Sequence, residues 1–301
     1  MKHILLLSTG GTISCRESIS GLAPQQDGGQ LLHAVCVPED VHVTVCDLMC
    51  VDSTDVTNAQ RLEMAKTLWK YREEYDGFVL THGTDTMAYT AAFLCRVLWH
   101  FNRPVILTGS QLPIEAEGSD APKNLSDALL CAASDYRGIA ICFAGKLHRG
   151  SRVTKTDAHE FDAFSGGNTE CPPDGIVENG VLHIDHMPEL EEPEWVEPVP
   201  TNTAVQIITP LLTAQDVLSY CGRDALLLYG YGVGGVPEEL ADAVEQVIAS
   251  GTLVYLGTQC SFGRADASVY AVGRRMQALG VRCLGAMTME DAIACVQCGL
   301  L

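Results

Sequence analysis

The sequence predicts an α/β fold: a larger N-terminal domain built on a doubly wound, mainly parallel sheet, then a smaller C-terminal α/β domain. Three observations carry this. Short, uninterrupted apolar runs alternate with helix-like stretches through the first half, which is the pattern of a parallel sheet covered on both faces. A Pro- and Glu-rich stretch without helical or strand period, "DHMPELEEPEWVEPVPTNT", then interrupts the alternation. Beyond it the alternation restarts. The expected domains are therefore residues 1–184 and 204–301, with a linker over 185–203.

In chain order, the first half gives strands at 3–7, 41–46, 77–80, 104–107 and 138–143, each a run rich in Val, Ile and Leu. Helices are expected at 29–36, 59–71, 86–100 and 124–133. The second half gives strands at 205–208, 225–229 and 252–256. Its helices are expected at 214–219, 237–250, 267–279 and 289–297, a flavodoxin-like succession. A chain of 301 residues suits two such domains, because single cores rarely grow beyond ~250–300 residues.

Composition narrows the partners. Lys and Arg number 19 against 38 Asp and Glu, a net charge of −19, which repels nucleic acid and anionic membranes. Neither is expected as a partner. The apolar opening, Met1-Lys2-His3-Ile4-Leu5-Leu6-Leu7, is too short for a secretory signal and turns polar at Ser8-Thr9, so it reads as a first strand. No run approaches ~18 apolar residues. The 13 cysteines, an odd number often set in apolar runs, fit thiols in a reducing cytoplasm better than a disulfide framework. Cys295-Val-Gln-Cys298 lacks the second pair a metal site needs. His183-Ile-Asp-His186 lacks a nearby third ligand.

The informative fact is where the polar residues fall. Thr9-Gly10-Gly11-Thr12 follows the first strand, and Asp52-Ser53-Thr54-Asp55 follows the second after a few residues. Thr81-His82-Gly83-Thr84-Asp85 follows the third, and Thr108-Gly109-Ser110-Gln111 the fourth. The stretch 145–155 follows the fifth and delivers Arg149, Arg152 and Lys155. Turns and helix caps use such residues too. Five clusters at one sheet edge are harder to explain that way, because ligands of open parallel sheets bind beyond the carboxyl ends of the strands. In a 2-1-3-4-5 strand order the switch point lies between strands one and three, so the Gly10-Gly11 and Gly83 loops should face each other.

Phosphate loops are excluded by spacing. A dinucleotide fingerprint needs G-x-G-x-x-G and a Walker loop needs Gly-Lys-Ser/Thr, whereas Gly11 is followed by Thr12-Ile13. What remains is threonine chemistry. A threonine hydroxyl becomes nucleophilic when a base takes its proton. Thr84, Asp85 and Lys155 supply a hydroxyl, an orienting carboxylate and a candidate base, and glycine-rich loops supply backbone N–H groups for an oxyanion. Together they point to acyl transfer or amide hydrolysis.

At these residues the sequence resembles the bacterial-type L-asparaginase family, closest in pattern to its cytoplasmic type I enzymes. Thr9-Gly-Gly-Thr-Ile13 resembles the family's first motif, and Gly77-Phe-Val-Leu-Thr-His-Gly-Thr-Asp-Thr-Met87 its second. "DSTDVT" (52–57), "TGSQLPIEAEGSD" (108–120), "RVTKTDAHEFDAF" (152–164), "YGVGGVPE" (231–238) and "TQCSFGRADASVYAVG" (258–273) extend the likeness nearly end to end. The resemblance implies hydrolysis of L-asparagine to L-aspartate and ammonia through an acyl-enzyme. It implies Thr12 as principal nucleophile and Thr84, Asp85 and Lys155 as a second triad. Ser53 would hold the substrate α-carboxylate and Asp85 the α-amine. Gly11, Asp52, Thr54, Gly83 and Ser110 complete the substrate-binding set, and His82 braces its loop. No metal or organic cofactor is implied. Homodimers or dimers of dimers are, with sites completed by a neighbour's small domain.

Three departures stand out. Leu22 occupies the place of a loop tyrosine, Gly234-Gly235-Val236-Pro237 lacks an asparagine, and Gly285-Ala286-Met287-Thr288 lacks an aspartate. They leave open a related amidase acting on glutamine or on D- or N-substituted asparagine, and an amino-acid-binding paralogue. The glutaminase part of a tRNA amidotransferase shares this core and is expected to carry an additional N-terminal module.

Overall fold

A computed structural model describes the chain except residues 19–20, 25–26 and 167–171, together with the side chains of 16–18 and 21–24. It divides into two compact units, Met1–Gly166 with Pro172–Glu197, and Pro198–Leu301. The division falls inside the stretch 185–203. That stretch is not wholly irregular, since Glu194–Trp195 pairs antiparallel with Leu98–Trp99.

The first unit holds an eight-stranded sheet. Its strands are β1 (Lys2–Gly10), β2 (Val41–Val51), β3 (Gly77–Thr81), β4 (Pro104–Thr108), β5 (Gly138–Phe143), β6 (Lys146–Arg149), β7 (Gly175–Glu178) and β8 (Val181–Ile184). Spatial order is β8-β7-β6-β5-β4-β3-β1-β2. The five long strands are parallel in the 2-1-3-4-5 order, so the switch point lies between β1 and β3 as expected. Register runs Leu5 to Phe78 and Ser8 to Thr81, so β3 ends beside Ser8 while β1 runs two residues further, to Gly10. Ile4, Leu5, Leu6 and Leu7 are all essentially buried, because both faces of β1 are covered. Ile4 and Leu6 pack in the layer that holds Leu31 of α1 (Gly28–His33) and Leu125, Ala128 and Leu129 of α4 (Ala121–Ala132).

The helices α2 (Asn58–Tyr71) and α3 (Met87–Val97) complete the first unit's main layers. A Thr57/Gln60 capping box starts α2, satisfying two otherwise orphaned backbone donors. The expected helix over 86–100 stops at Val97, because Leu98–Trp99 turns extended and His100 takes a left-handed φ of 56°. Both break the α-helical ladder.

The segment 145–155 is the largest correction. It is not one loop. Phe143 pairs with Lys146 across a two-residue turn, and β6 returns antiparallel beside β5. Ala144 and Gly145 both have positive φ, 50° and 76°, the conformation that matches a hairpin's twist. Asn124 of α4 holds this turn through the Ala144 N–H at 3.0 Å and donates from Nδ2 to the Gly109 carbonyl at 3.1 Å. One buried amide thereby fixes the hairpin to the loop after β4.

The second unit carries a four-stranded parallel sheet of β9 (Thr203–Ile207), β10 (Ala225–Gly230), β11 (Leu253–Thr258) and β12 (Arg282–Cys283) in sequential order. Its helices are α5 (Ala214–Leu218), α6 (Glu238–Ala249), α7 (Ala271–Ala278) and α8 (Met289–Gln297). The helix expected over 267–279 begins only at Ala271, after an extended Tyr270. Leu226, Leu228, Leu240, Val244 and Leu256 form one core face. Ala225, Leu227, Tyr229 and Tyr255 form the other. Among the described residues no helix is long and apolar enough to cross a membrane.

Candidate active site

The carboxyl ends of β1 and β3 carry the Thr12 and Thr84 loops, and glycine brings them together. Gly11 has φ 82°, and a Cβ placed on it would lie 2.3 Å from the Gly83 nitrogen and 2.5 Å from the Gly83 Cα. The two main chains are in direct contact there. Gly83 in turn faces Ser53, whose Oγ would be 2.6 Å from a Cβ at that position. Three of the five polar clusters thus meet at Gly11, Gly83 and Ser53, with no side chain from either glycine between them.

The surroundings hold these backbones rigidly. The Gly11 N–H donates to the Val51 carbonyl at 3.1 Å, and the His82 N–H to Thr108 at 2.8 Å. Thr9 Oγ1 donates to the Thr81 carbonyl at 2.6 Å, tying the two strand ends. Thr12 is half-buried. No hydrogen bond engages its hydroxyl among the described residues, so it is available to a ligand.

Lys155, the candidate base of the sequence reading, lies against Thr84. Lys155 Nζ donates to Thr84 Oγ1 at 2.8 Å and to Asp85 Oδ1 at 2.7 Å. The ammonium side chain is 16% exposed while Asp85 is 60% exposed, so the carboxylate keeps an accessible oxygen for a ligand. Lys155 reaches this place from the short strand Thr154–Lys155, which pairs with Phe164–Ser165.

The remaining predicted residues differ in exposure and partners. Ser53 is buried, and its side chain makes no hydrogen bond among the described residues. Asp52 and Thr54 are exposed and satisfy each other, Asp52 Oδ1 accepting from the Thr54 N–H at 2.9 Å and its hydroxyl at 2.8 Å. They shape the turn that presents Ser53. Ser110 is buried and donates to the Leu112 carbonyl within its own loop. Asp120 holds that loop through the N–H groups of Gln111 and Leu112. Leu22 lies opposite Glu17 in a short antiparallel pair, and its side chain is outside the described residues. His183 and His186 are both exposed.

His82 braces the turn from below. Its Nδ1 lies 2.8 Å from the Gly83 carbonyl, which can only accept, so the proton is assigned to Nδ1. Nε2 then accepts from the Thr90 hydroxyl at 2.9 Å, and Thr90 accepts from Arg61 Nε at 3.2 Å. Burial pushes the imidazole down to about 4, although the Gly83 carbonyl opposes this. His148 on β6 is likewise pushed down to about 4, by burial and then Lys146. Its Nε2 is buried without a partner among the described residues.

These two rings make stability pH-dependent. Unfolded imidazoles titrate near 6.5, so between pH 6.5 and 4 the unfolded chain binds more protons than the native one. Stability contributed by neutral burial is therefore full above pH 6.5 and lost as pH falls towards 4. Each ring is expected to remove roughly 2 kcal/mol between pH 7 and pH 5. Urea unfolding at the two pH values checks this, and equal midpoints would refute it.

One participant escapes the motif reading. Gln111 Oε1 lies 3.4 Å from Thr84 Oγ1, and its Nε2 donates to the Glu160 carbonyl at 3.0 Å. Its position in the fourth polar cluster is the signal that could have singled it out.

Known proteins share both parts of this chain. A family model described as "Asparaginase, N-terminal" matches residues 3–189, and one described as "Glutaminase/Asparaginase C-terminal domain" matches residues 208–300. The chain is 33% identical over 298 residues to an L-asparaginase of Thermococcus kodakarensis, covering 96% of this chain and 90% of that one. It is 35% identical over 309 residues to L-asparaginase 1 of Escherichia coli, covering 97% and 90%. A glutamyl-tRNA(Gln) amidotransferase component of T. kodakarensis matches at 30% identity, with 93% of this chain and 68% of the relative covered. The solved structure of the thermostable T. kodakarensis L-asparaginase superposes with a TM-score of 0.92 at 31% identity, over 99% of this chain and 92% of that one. L-asparaginase I from Vibrio cholerae gives 0.84 at 30% identity, with the same coverages. With both of its parts matched and its asparaginase relatives spanned nearly end to end, the chain belongs to the asparaginase family.

Proposed function

We propose that this protein is an L-asparaginase, an amidohydrolase that converts L-asparagine to L-aspartate and ammonia through a threonyl ester. The observation that carries the reading is the Lys155 contact with both Thr84 and Asp85, beside the Gly11–Gly83 approach. Thr12 is the principal nucleophile, its half-buried hydroxyl standing unengaged next to Gly11. Thr84 relays the proton, with Lys155 in its neutral form as the acceptor and Asp85 orienting it.

In the first step the threonine Oγ–H bond breaks and its proton passes to the lysine nitrogen. Oγ bonds to the carboxamide carbon, and backbone N–H groups of the glycine loops receive the oxyanion. The carbon–nitrogen bond breaks, and the proton leaves with the nitrogen as ammonia. Water then attacks the ester by the same route, releasing the carboxylate and restoring the hydroxyl. Ser53 receives the substrate α-carboxylate, and the exposed oxygen of Asp85 pairs with the α-amine. Asp52, Thr54, Gly83 and Ser110 support this pocket.

Large exposed apolar side chains in the second unit, Phe262 at 69% and Tyr270 at 61%, support self-association as a homodimer or dimer of dimers. The 13 cysteines, an odd number often set in apolar runs, support residence in a reducing cytoplasm.

The test is release of ammonia and aspartate from millimolar L-asparagine by the purified chain, with Thr12→Ala as baseline. Turnover above that baseline is expected, and none would sink the proposal. A second reading, a related amidase, is favoured by the likeness to the tRNA amidotransferase component. The ratio of kcat/KM for L-asparagine to that for L-glutamine and substituted asparagines decides it.

A further inference from the structure

Among the described residues the Thr84 hydroxyl has two hydrogen-bond partners, and the second is Gln111. A lysine ammonium can only donate, so its 2.8 Å contact occupies a lone pair of Thr84 Oγ1. The hydroxyl proton is then directed to Gln111 Oε1 at 3.4 Å. The amide has one orientation: its Nε2 donates to the Glu160 carbonyl at 3.0 Å, which leaves Oε1 facing Thr84. The backbone beneath it is fixed too, because the Gln111 N–H is held by both Asp120 carboxylate oxygens at 3.1 and 3.0 Å. The Glu160 carbonyl belongs to a turn organised by Asp157, whose Oδ1 accepts from the His159 and Glu160 N–H groups at 2.7 and 2.8 Å. Gln111 thus spans from the loop after β4 to the turn that follows Lys155.

We propose that Gln111 is a positioning residue: by accepting the Thr84 proton it presents the Thr84 oxygen to Lys155 and so sets how tightly Lys155 holds its own proton. The inference rests on the Thr84–Lys155 relay proposed above. In the resting state the hydroxyl points at Gln111 and favours the ammonium. When Lys155 acts as base, the hydroxyl swings to the amine. Only a long contact is broken, so the swing is cheap. Other charged groups facing Lys155 are Asp85 at 2.7 Å and Asp157 on its own segment. The paired strand Phe164–Ser165 brings no titratable group.

Two substitutions should act in opposite directions. Gln111→Met keeps the shape but removes the acceptor, freeing the Thr84 hydroxyl to donate to the amine. Gln111→Glu places a carboxylate there. The first is expected to lower the titration midpoint of Lys155 by about half a unit and the second to raise it by a similar amount. Trace acetylation with isotopically labelled acetic anhydride across pH, read on the Lys155 peptide by mass spectrometry, measures that midpoint in the full chain without any need for turnover. The acidic limb of kcat/KM for L-asparagine should follow, with melting temperatures close to the parent's. Gln111→Leu replaces Gln111→Met if the latter yields no folded protein.

Midpoints displaced in opposite directions support the inference. Midpoints that stay put, or move the same way in both variants, overturn it. If the midpoints move as expected but the parent protein hydrolyses no amide, the proposed function fails and the role of Gln111 stands. If the parent is active and the midpoints are unmoved, the reverse holds.

Discussion

Lys155→Met is expected to lower kcat for L-asparagine hydrolysis by about 10³-fold or more while leaving the protein folded. The substitution keeps an unbranched stem of similar length and removes the nitrogen that contacts both Thr84 and Asp85. The ion pair itself contributes little to stability, since Asp85 is 60% exposed and water screens it. Folding stability should fall by less than about 1 kcal/mol. Lys155→Arg separates charge from basicity. A guanidinium keeps the positive charge and can keep the pairing with Asp85, but it remains protonated at any working pH and takes no proton from threonine. It should not restore turnover. Initial rates of ammonia release, beside calorimetric melting of the same samples, check the pair. Substantial activity in either variant would remove Lys155 from the role of base.

Gly11→Ala is expected to destabilise the protein by roughly 3–5 kcal/mol, combining left-handed backbone strain with overpacking. The residue sits at φ 82°, where an L side chain is disfavoured, and the new Cβ would lie 2.3 Å from a main-chain nitrogen. No rotamer relieves that overlap, because the obstacle is the Gly83 backbone and not a flexible side chain. Gly118→Ala is the uncrowded comparison. Gly118 has φ 73° but nothing within 4 Å of its added Cβ, so it reports the backbone cost alone, about 1–2 kcal/mol. Urea midpoints for both variants separate the two contributions. Equal losses would show that the contact with Gly83 does not matter. A Gly11→Ala protein that still folds should bind and turn over substrate poorly, since the Thr12 and Thr84 loops are forced apart.

The framework of the first unit was legible because parallel strands buried on both faces read as unbroken apolar runs. Residues 3–7 and 77–80 are such runs, and both lie inside the observed strands. The switch point followed from strand order, and with it the meeting of Gly11 and Gly83. The return of β6 was not legible. Ala144-Gly145 lacks the Asn-Gly signature of a tight hairpin, and its geometry depends on Asn124, twenty residues away along a different element. The end of α3 was missed for a similar reason. Trp99 and His100 have no helix-breaking chemistry of their own, and the pairing with Glu194–Trp195 that draws Leu98–Trp99 out of the helix is remote in sequence. Lys155 was expected at the site because its stretch follows the fifth strand, but the chain first returns along β5 as β6, and the short strand Thr154–Lys155 then carries the lysine to Thr84. Gln111 could not be given a role, since its orientation is set by the Glu160 main-chain carbonyl, which no residue pattern encodes.

The Gly11–Gly83 approach has a consequence for motion. The Gly11 amide is bonded to the end of β2 and the His82 amide to the end of β4. Neither hydrogen can meet solvent by a local fluctuation of its own loop, because each loop is pinned by the other's backbone. Opening the floor of the site means fraying several strands of the central sheet together, so those amides inherit the exchange protection of the core. The threonine loops are therefore anchored to the central sheet, and opening them draws on the stability of its strands.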